Sequence, residues 1–404
     1  MPGCPPIPLA VLPTQGKDTA EDNAALLFKC LELCGEQNIP VISCGADGAS
    51  NEQGAHVLLN SSTRATGHVT FKLEKFGISL SAPVFPRTGP LVTIPDPGHV
   101  QKVLRDNEQS GTHLLSLGDN VLTHDTLVCL QKEPGSGMVQ KDVLNTDKQD
   151  DGASIRVFHS NALQVCLSSA KEVKPEYRMA FVVHFIFGRP LCSIEEIKSH
   201  PTTGELFDAV FKRDLSHFER VRAVLRAKFF LKVWRDHVVE KRQSAHGHFF
   251  SLQRSFISSQ NYKSLNALCD AFLKLIIIHR EHYPNVPFLP WQHGSMALEK
   301  LFGIARTFIP NFTYVEFVVT LRHILLRENA LLRLAKLGVH GRKEKSSGYV
   351  HDTTLEQLTK DDLKKLAQLP SRSQISEIAD LAFEEVVALM RAVCTARCLE
   401  DVHR

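Results

Sequence analysis

Three acidic side chains stand where carboxylates can hold a metal ion: Asp47, Asp96 and Glu299. Asp47 and Asp96 each follow a short apolar, strand-like stretch, and Glu299 lies in a helical pattern much later in the chain. Such a set can hold two divalent ions about 4 Å apart and cleave or join nucleic-acid strands. Magnesium suits the site because it prefers oxygen ligands. We predict that all three are catalytic and that Asp47 and Glu299 bind the metal, with a structural role as the alternative for Asp96.

The stretch 39–52, IPVISCGADGASNE, positions the first of these acids. Residues 40–44 have the apolar, β-prone composition of a short buried strand. Gly45 and Gly48 bracket Asp47, which predicts a sharp turn, and residues 51–59 predict a helix. In α/β folds, side chains at the carboxyl ends of central strands meet at one edge of the sheet. The alternative is that Asp47 caps the following helix.

The first 111 residues predict an α/β arrangement. Residues 6–13 predict a strand and residues 20–36 a helix, so that the chain up to Asp47 forms a βαβ unit with a parallel pair. Residues 79–87 are expected to be irregular, and residues 90–94 predict the strand that ends at Asp96. Pro97 then stands near the first position of a helix, where its missing N–H costs nothing.

From about residue 112 the strand patterns give way to helical periodicity. Helices are predicted over 113–131, 145–169, 205–242 and 265–282, and a proline-bounded linker follows over 283–290. We predict four parts: a core segment at 1–111, a helical insertion at 112–287, core-completing helices at 288–337 and a helical tail at 338–404.

The composition of the chain excludes several classes of protein. The chain has 404 residues, 43% of them hydrophobic, and a net charge of +3, which excludes a polybasic protein. None of its ten cysteines forms a CxxC motif, which indicates a reducing compartment and no zinc ribbon. No signal peptide is evident, and the longest apolar stretch, 179–187, is far shorter than a membrane span. A soluble, intracellular protein with no membrane partner is expected.

Three motifs in order resemble one family. The stretches SCGADGASNE, TIPDPGHVQKVLRDN and PWQHGSMALEKLFGIAR, which contain Asp47, Asp96 and Glu299, are similar to the RNase H-like DDE transposases of the P-element type. The similarity is greatest to the degenerate copies found in mushroom-forming fungi. Each motif alone is weak, whereas the ordered set, over roughly residues 5–335, is moderately specific.

The resemblance implies a Mg²⁺-dependent enzyme that cleaves and transfers DNA strands. It also implies an RNase H-like core interrupted by a helical insertion that binds GTP in this family. No GxxxxGK[ST] loop occurs in the chain, so no nucleotide-binding residue is assigned. The family places its first catalytic Asp on a strand ahead of residues 6–13, and nothing precedes Met1 here. We therefore expect an incomplete core that lacks strands one and two, and impaired catalysis.

Basic residues near the motifs are the candidates for contact with DNA phosphates. Lys102, Arg105 and Arg306 lie within the family motifs, and Arg342 and Lys343 lie in the basic hinge at 338–347. Two longer basic stretches, 220–242 and 322–345, could serve the same purpose or could be solvated helix faces. DNA is the expected partner, with self-association as a further expectation and the nucleus as the expected location.

Two functions are compatible with these patterns. The first is a transposase-derived protein, ancestrally a Mg²⁺-dependent strand-transfer enzyme and now catalytically impaired. The second is a non-catalytic, domesticated module that binds DNA or protein. His279 and His282 have a spacing that a metal could use, but exposed or hydrogen-bonded histidines explain it more simply.

Overall fold

The computed structural model describes residues 8–12, 16–146, 151–169, 172–187, 206–213, 215–243, 247–337 and 359–393. Arg342 and Lys343 lie outside these residues, as does the whole basic hinge at 338–347. The described part is a mixed α/β structure with small sheets and a helical C-terminal region.

The strands are short and form four small sheets. They are β1 (Ser43–Ala46), β2 (Gly67–Leu73), β3 (Ile78–Phe85), β4 (Gly89–Pro90), β5 (Val92–Pro95), β6 (Leu115–Leu117), β7 (Asn120–Leu122), β8 (Leu167–Ser169) and β9 (Glu172–Val173).

Helices make up most of the described chain. They are α1 (Ala20–Glu36), α2 (Ser50–Asn60), α3 (Pro97–Gln109), α4 (His124–Lys132), α5 (Asp151–Val157), α6 (Ser160–Val165), α7 (Arg178–Phe187), α8 (Leu206–Phe211), α9 (His217–Lys241), α10 (Leu252–Ser255), α11 (Ser259–His282), α12 (Met296–Phe308), α13 (Tyr314–Lys336), α14 (Lys360–Lys365) and α15 (Arg372–Val393).

The strands that precede Asp47 and Asp96 pair in parallel. Ser43 lies opposite Val92, and Ala46 lies opposite Pro95. The predicted strand over 6–13 is wrong for its described part, because residues 8–12 have no regular structure. The predicted βαβ unit therefore lacks its first strand in the described chain. Strand β1 pairs with β5 instead.

A three-stranded antiparallel sheet, in the order β2-β3-β4, lies between the two parallel strands in sequence. Strand β3 occupies most of the stretch 79–87 that was expected to be irregular, so that expectation was wrong. Its alternating pattern explains the strand, because Ile78, Leu80 and Ala82 are buried while Ser79 and Ser81 are exposed.

A hairpin replaces the first part of the helix predicted over 113–131. Gly118 adopts a left-handed φ of +61° between β6 and β7, and this turn lets the two strands pair. The indole Nε1 of Trp234 donates to the Ser116 carbonyl at 2.8 Å, which ties β6 to α9. The helix predicted over 145–169 was also wrong: its described part forms α5, α6 and β8.

One large hydrophobic core crosses the boundaries predicted at 111/112 and 337/338. It contains buried side chains of β2 and β3, of helices α3, α7, α9 and α11, and of α15 in the tail. Phe76, for example, contacts Phe229 and Phe383, with ring centroids 4.7 and 5.5 Å away. The insertion and the tail helix α15 therefore pack as one body with the antiparallel sheet.

Helices α12 and α13 form a second, separate cluster around Leu301, Ile304 and Phe317. Their outer side keeps apolar side chains in solvent: Val315 and Val319 are 66% and 67% exposed. The polypeptide just before α12 connects this region to the parallel strands.

Candidate functional site

Asp47 and Asp96 lie side by side at the carboxyl edge of the parallel pair. Each follows the last residue of its strand, Ala46 and Pro95, and these two residues are register partners. The backbone N–H of Asp96 donates to the Ala46 carbonyl at 2.7 Å. The structure thus brings together the two acids that the sequence placed at strand ends.

The third motif docks on the same edge through the segment 292–295. The Ser295 N–H donates to Oδ1 of Asp96 at 2.8 Å. Nδ1 of His293 lies 2.7 Å from the Ser43 hydroxyl. A Cβ on Gly45 would stand 2.7 Å from backbone atoms of Gly294, so the two backbones touch where neither residue has a side chain. All three motifs therefore meet at one edge.

Asp96 has a structural role where the three motifs meet. Its side chain caps α3, where Oδ2 accepts the His99 N–H at 2.8 Å. Its other oxygen, Oδ1, accepts the Ser295 N–H, and the residue is only 6% exposed. Because both oxygens accept backbone N–H groups, Asp96 positions the segment before α12. This is the structural role that was the alternative to metal binding for Asp96.

Asp47 is exposed and forms a pair with Glu52 in the first turn of α2. The Asp47 N–H donates to Oε2 of Glu52 at 3.1 Å, and Oδ1 of Asp47 accepts the Ala49 N–H at 3.0 Å. Burial works against ionisation of Asp47, but its hydrogen bonds with Glu52 and Ala49 hold its pKa below the usual range. The charges of His99 and Lys102 act in the same direction.

Glu52 is the residue that sequence reasoning missed. Burial, the hydrogen bond with Asp47 and the negative charge of Asp47 raise the pKa of Glu52 to about 7. Glu52 therefore takes up or releases a proton close to neutral pH. The signal available in the sequence was the position of Glu52, five residues after Asp47 in a predicted first helical turn.

The insertion reaches this edge through α11. The side-chain amide of Gln260 lies 3.4 Å from the Gly48 carbonyl, and that of Gln53 in α2 donates to the same carbonyl at 3.0 Å. Gly48 has a φ of +97°, and a Cβ there would contact the His99 ring at 3.4 Å. The Asp47 turn is thus held from both the core segment and the insertion.

The donor set fits Mg²⁺ only in part. Asp47 and Glu52 offer carboxylate oxygens, which Mg²⁺ prefers, but the raised pKa of Glu52 and the nearby charge of Lys102 both work against a bound cation. Glu299 is exposed in the first turn of α12. Within the described ranges, no group of three or more His, Cys, Asp or Glu side chains is arranged to hold a metal ion.

The residues predicted to bind DNA have different environments. Lys102 is half-buried beside Asp47, and Arg306 is half-buried in the last turn of α12. Arg105 is fully buried, and its Nε and one terminal nitrogen donate to Oδ1 of Asp106 at 3.1 and 2.9 Å. A guanidinium held inside the core cannot reach a DNA phosphate, so Arg105 is corrected to a structural residue.

The basic stretch 220–242, which forms most of α9, is largely committed to internal contacts. Arg220 is fully buried and donates to backbone carbonyls, including that of Ala209 at 2.6 Å. Arg226 is 3% exposed and, with Arg222, contacts the Glu385 carboxylate of α15. The stretch 220–242 was interpreted either as a DNA contact or as a solvated helix face. The internal contacts of Arg220, Arg222 and Arg226 give little support to DNA contact.

Three histidines surround Phe288 beside the segment 290–295. The Phe288 ring lies 5.2, 4.9 and 5.4 Å from the rings of His217, His279 and His293. Burial lowers the pKa of His217 and His279 to about 4 and that of His293 to about 3. The histidines are therefore neutral near pH 7, which fits core residues rather than a charged site.

Comparison of the chain with protein-family models, curated proteins and solved structures found no match in any of the three. None of the described helices is long and apolar enough to cross a membrane.

Proposed function

We propose that the chain is a transposase-derived protein whose strand-end site is catalytically impaired. The observation that carries the proposal is the meeting of three motifs, far apart in sequence, at the carboxyl edge of β1 and β5. A DDE transposase requires three acids to converge at one site; here the segments that carry the acids meet, and Asp47 and Asp96 follow paired strand ends. The role of Asp96 as a cap removes one acid from metal binding and supports impairment.

In this proposal, Asp47 is the principal metal ligand, Glu299 remains the candidate from α12, and Glu52 is added as a neighbouring oxygen donor. A Mg²⁺ ion bound there would supply charge neutralisation to a phosphodiester. Lys102 and Arg306 are the described candidates for DNA phosphates, and Arg342 and Lys343 remain candidates from the hinge. Nuclear location, self-association and GTP binding are retained as proposals from the resemblance alone.

Calorimetric titration with Mg²⁺ or Mn²⁺ tests the metal site. We expect binding by the wild-type protein that is lost in Asp47→Ala and in Glu299→Ala and is retained in Glu384→Gln, which removes an exposed carboxylate of α15. Binding that survives Asp47→Ala and Glu299→Ala would contradict the assignment. A well-folded wild-type protein that binds neither ion would favour the second function, a non-catalytic DNA- or protein-binding module.

A second measurement tests whether Lys102 contacts DNA. Double-stranded DNA binding is measured against salt for the wild-type protein and for Lys102→Ala, because a lost phosphate contact lowers the salt dependence by about one unit. Arg105→Met is not expected to change the salt dependence, since Arg105 lies in the core. Identical salt dependence in the wild-type protein and Lys102→Ala would remove Lys102 from the DNA surface.

A further inference from the structure

A pocket of about 340 Å³ lies between the last turns of α1 and the turn 86–88, which joins β3 to β4. Pockets that bind small molecules have volumes of roughly 300–1,000 Å³, so this pocket suits a small ligand. The residues that line it do not include Asp47, Asp96 or the segment 292–295. A ligand bound here would therefore be separate from the metal and the DNA proposed for the strand-end site.

The buried side chains of the pocket are apolar and partly aromatic. Leu31 and Phe85 are 9% and 5% exposed and belong to the hydrophobic cluster that joins α1 to α2. The ring of Phe28 packs against this cluster and stands edge to face with the Phe85 ring, with 6.1 Å between the centroids. Aromatic rings make favourable edge-to-face and offset contacts with one another. This part of the pocket therefore suits an uncharged aromatic group.

Four charged side chains also line the pocket, and two of them already form a pair. One terminal nitrogen of Arg64 lies 2.9 Å from Oε1 of Glu32, and the Arg64 guanidinium stacks 4.5 Å from the centre of the Phe28 ring. Arg64 and Glu32 therefore neutralise each other and form one wall. The other two, Glu36 and Arg87, are exposed, and neither side chain has a hydrogen bond or ion pair with another described residue.

Glu36 and Arg87 come from two elements that pack together. Glu36 is the last residue of α1, and a Cβ on the preceding Gly35 would lie 3.6 Å from Cβ of Arg87. The carboxyl end of a helix carries a partial negative charge, which adds to the preference for a cation near Glu36. The pocket thus offers one unpaired charge of each sign beside an apolar part.

The backbone at Arg87 is a second, independent indication of a ligand site. Its φ is +64°, in the left-handed region that is disfavoured for a residue with a long side chain. Strained backbone of this kind recurs at positions that contact ligands. The turn therefore holds a guanidinium at the pocket at some cost in backbone energy.

We propose that this pocket binds a free α-amino acid with an uncharged aromatic side chain. The aromatic group packs against Phe28, Leu31 and Phe85. Arg87 binds the carboxylate, to which a guanidinium can donate two hydrogen bonds, and Glu36 binds the ammonium group. A ligand with a single charge would leave Glu36 or Arg87 unpaired. A segment within a polypeptide is a poorer occupant, because its backbone carries neither charge.

Three ligands that share a phenylethyl group test the proposal in NMR titrations with the full chain. Phenylalanine has both charges, 3-phenylpropanoate lacks the ammonium group, and 2-phenylethylamine lacks the carboxylate. We expect phenylalanine to bind and each analogue to bind at least about fivefold more weakly, because each loses one ion pair at the pocket.

Two charge variants assign the contacts. Arg87→Gln should remove the preference for phenylalanine over phenylethylamine and keep the preference over phenylpropanoate. Glu36→Gln should have the opposite effect. Both positions are exposed, so the variants are expected to fold. Glu21→Gln, at an exposed position in the first turn of α1, is the control and should leave the three affinities unchanged.

A third variant tests the location of the ligand. A Cβ at Gly35 would make ordinary contacts of 3.4, 3.6 and 3.7 Å with Pro86, Arg87 and Thr88, so Gly35→Ala is expected to fold. Its methyl group takes up space between α1 and the turn 86–88. All three ligands should therefore bind at least about fivefold more weakly to this variant.

Two results would overturn the proposal. One is equal affinity of the three ligands for the wild-type protein, or no binding of any of them, which would show that the pocket does not recognise the paired charges of an amino acid. The other is phenylalanine binding that is unchanged in Arg87→Gln, Glu36→Gln and Gly35→Ala, which would place the ligand elsewhere on the protein.

Discussion

Buried histidines make the stability of this protein depend on pH. His279 is 3% exposed, and neither ring nitrogen has a hydrogen-bond partner in the described structure. Its folded pKa of about 4 lies below the ordinary value of 6.5. The unfolded chain therefore binds more protons between these pH values, and the free energy of unfolding falls as pH falls through this range.

We expect the wild-type protein to lose on the order of 1–2 kcal/mol of stability per buried histidine between pH 7.5 and pH 5. Denaturant titrations at both pH values measure the loss. His279→Phe should reduce it by the share of one histidine, because Phe cannot take up a proton. His282→Phe, at an exposed position near the end of the same helix, should leave it unchanged. An unaltered loss in His279→Phe would contradict the assignment.

Gly294 is a second residue on which the strand-end site depends. Its φ is +123°, and a Cβ there would lie 2.8 Å from Cδ of Pro97 and 2.9 Å from Oδ1 of Asp96. We expect Gly294→Ala to lower the free energy of unfolding by about 1–3 kcal/mol. Gly111→Ala is the control, since a Cβ at Gly111 meets nothing within 4 Å. Equal stability of the two variants would argue against this contact.

At the scale of elements, α15 is joined to α9 by a charge cluster. Glu385 of α15 contacts the guanidinium groups of Arg222 and Arg226, and the side chain of Arg226 is only 4% exposed. Removing the carboxylate charge takes a counter-charge away from a largely buried cation.

We therefore expect Glu385→Gln to destabilise the protein by about 1–3 kcal/mol in chemical denaturation. Glu384→Gln changes the same type of residue at the adjacent, exposed position and should stay within about 0.5 kcal/mol of the wild type. An equal loss of stability in Glu385→Gln and Glu384→Gln would show that helix propensity or net charge, rather than the charge cluster, is responsible.

The elements around the acids could be predicted because their patterns are local. An apolar run followed by Asp predicted β1 and β5, and Asp-Pro-Gly predicted the start of α3. Residues 8–12 and the β6–β7 hairpin could not be predicted, because an apolar stretch is equally compatible with strand, helix or coil until its packing partner is known. The role of Glu52 depends on its distance from Asp47, which spacing alone does not supply.

At the scale of the whole molecule, the large core and the α12–α13 cluster differ in burial. Helix α11 contributes many fully buried side chains to the large core, whereas α13 leaves several apolar side chains in solvent. Amides in α11 should therefore exchange with solvent close to the rate of global unfolding, and those in α12 and α13 much faster. Hydrogen exchange by mass spectrometry measures this. Equal protection of α11 and α13 would mean that the outer face of α13 is covered in solution.

The meeting of the three motifs has a consequence for how the chain folds. Ser43 and His293 are 250 residues apart in sequence, and Asp96 and Ser295 are 199 apart. Contacts of such range form slowly, because the intervening chain must first be brought together. Folding of the insertion shortens that path. During translation, the carboxyl edge of β1 and β5 therefore stays uncovered by the segment 292–295 until residue 295 has left the ribosome.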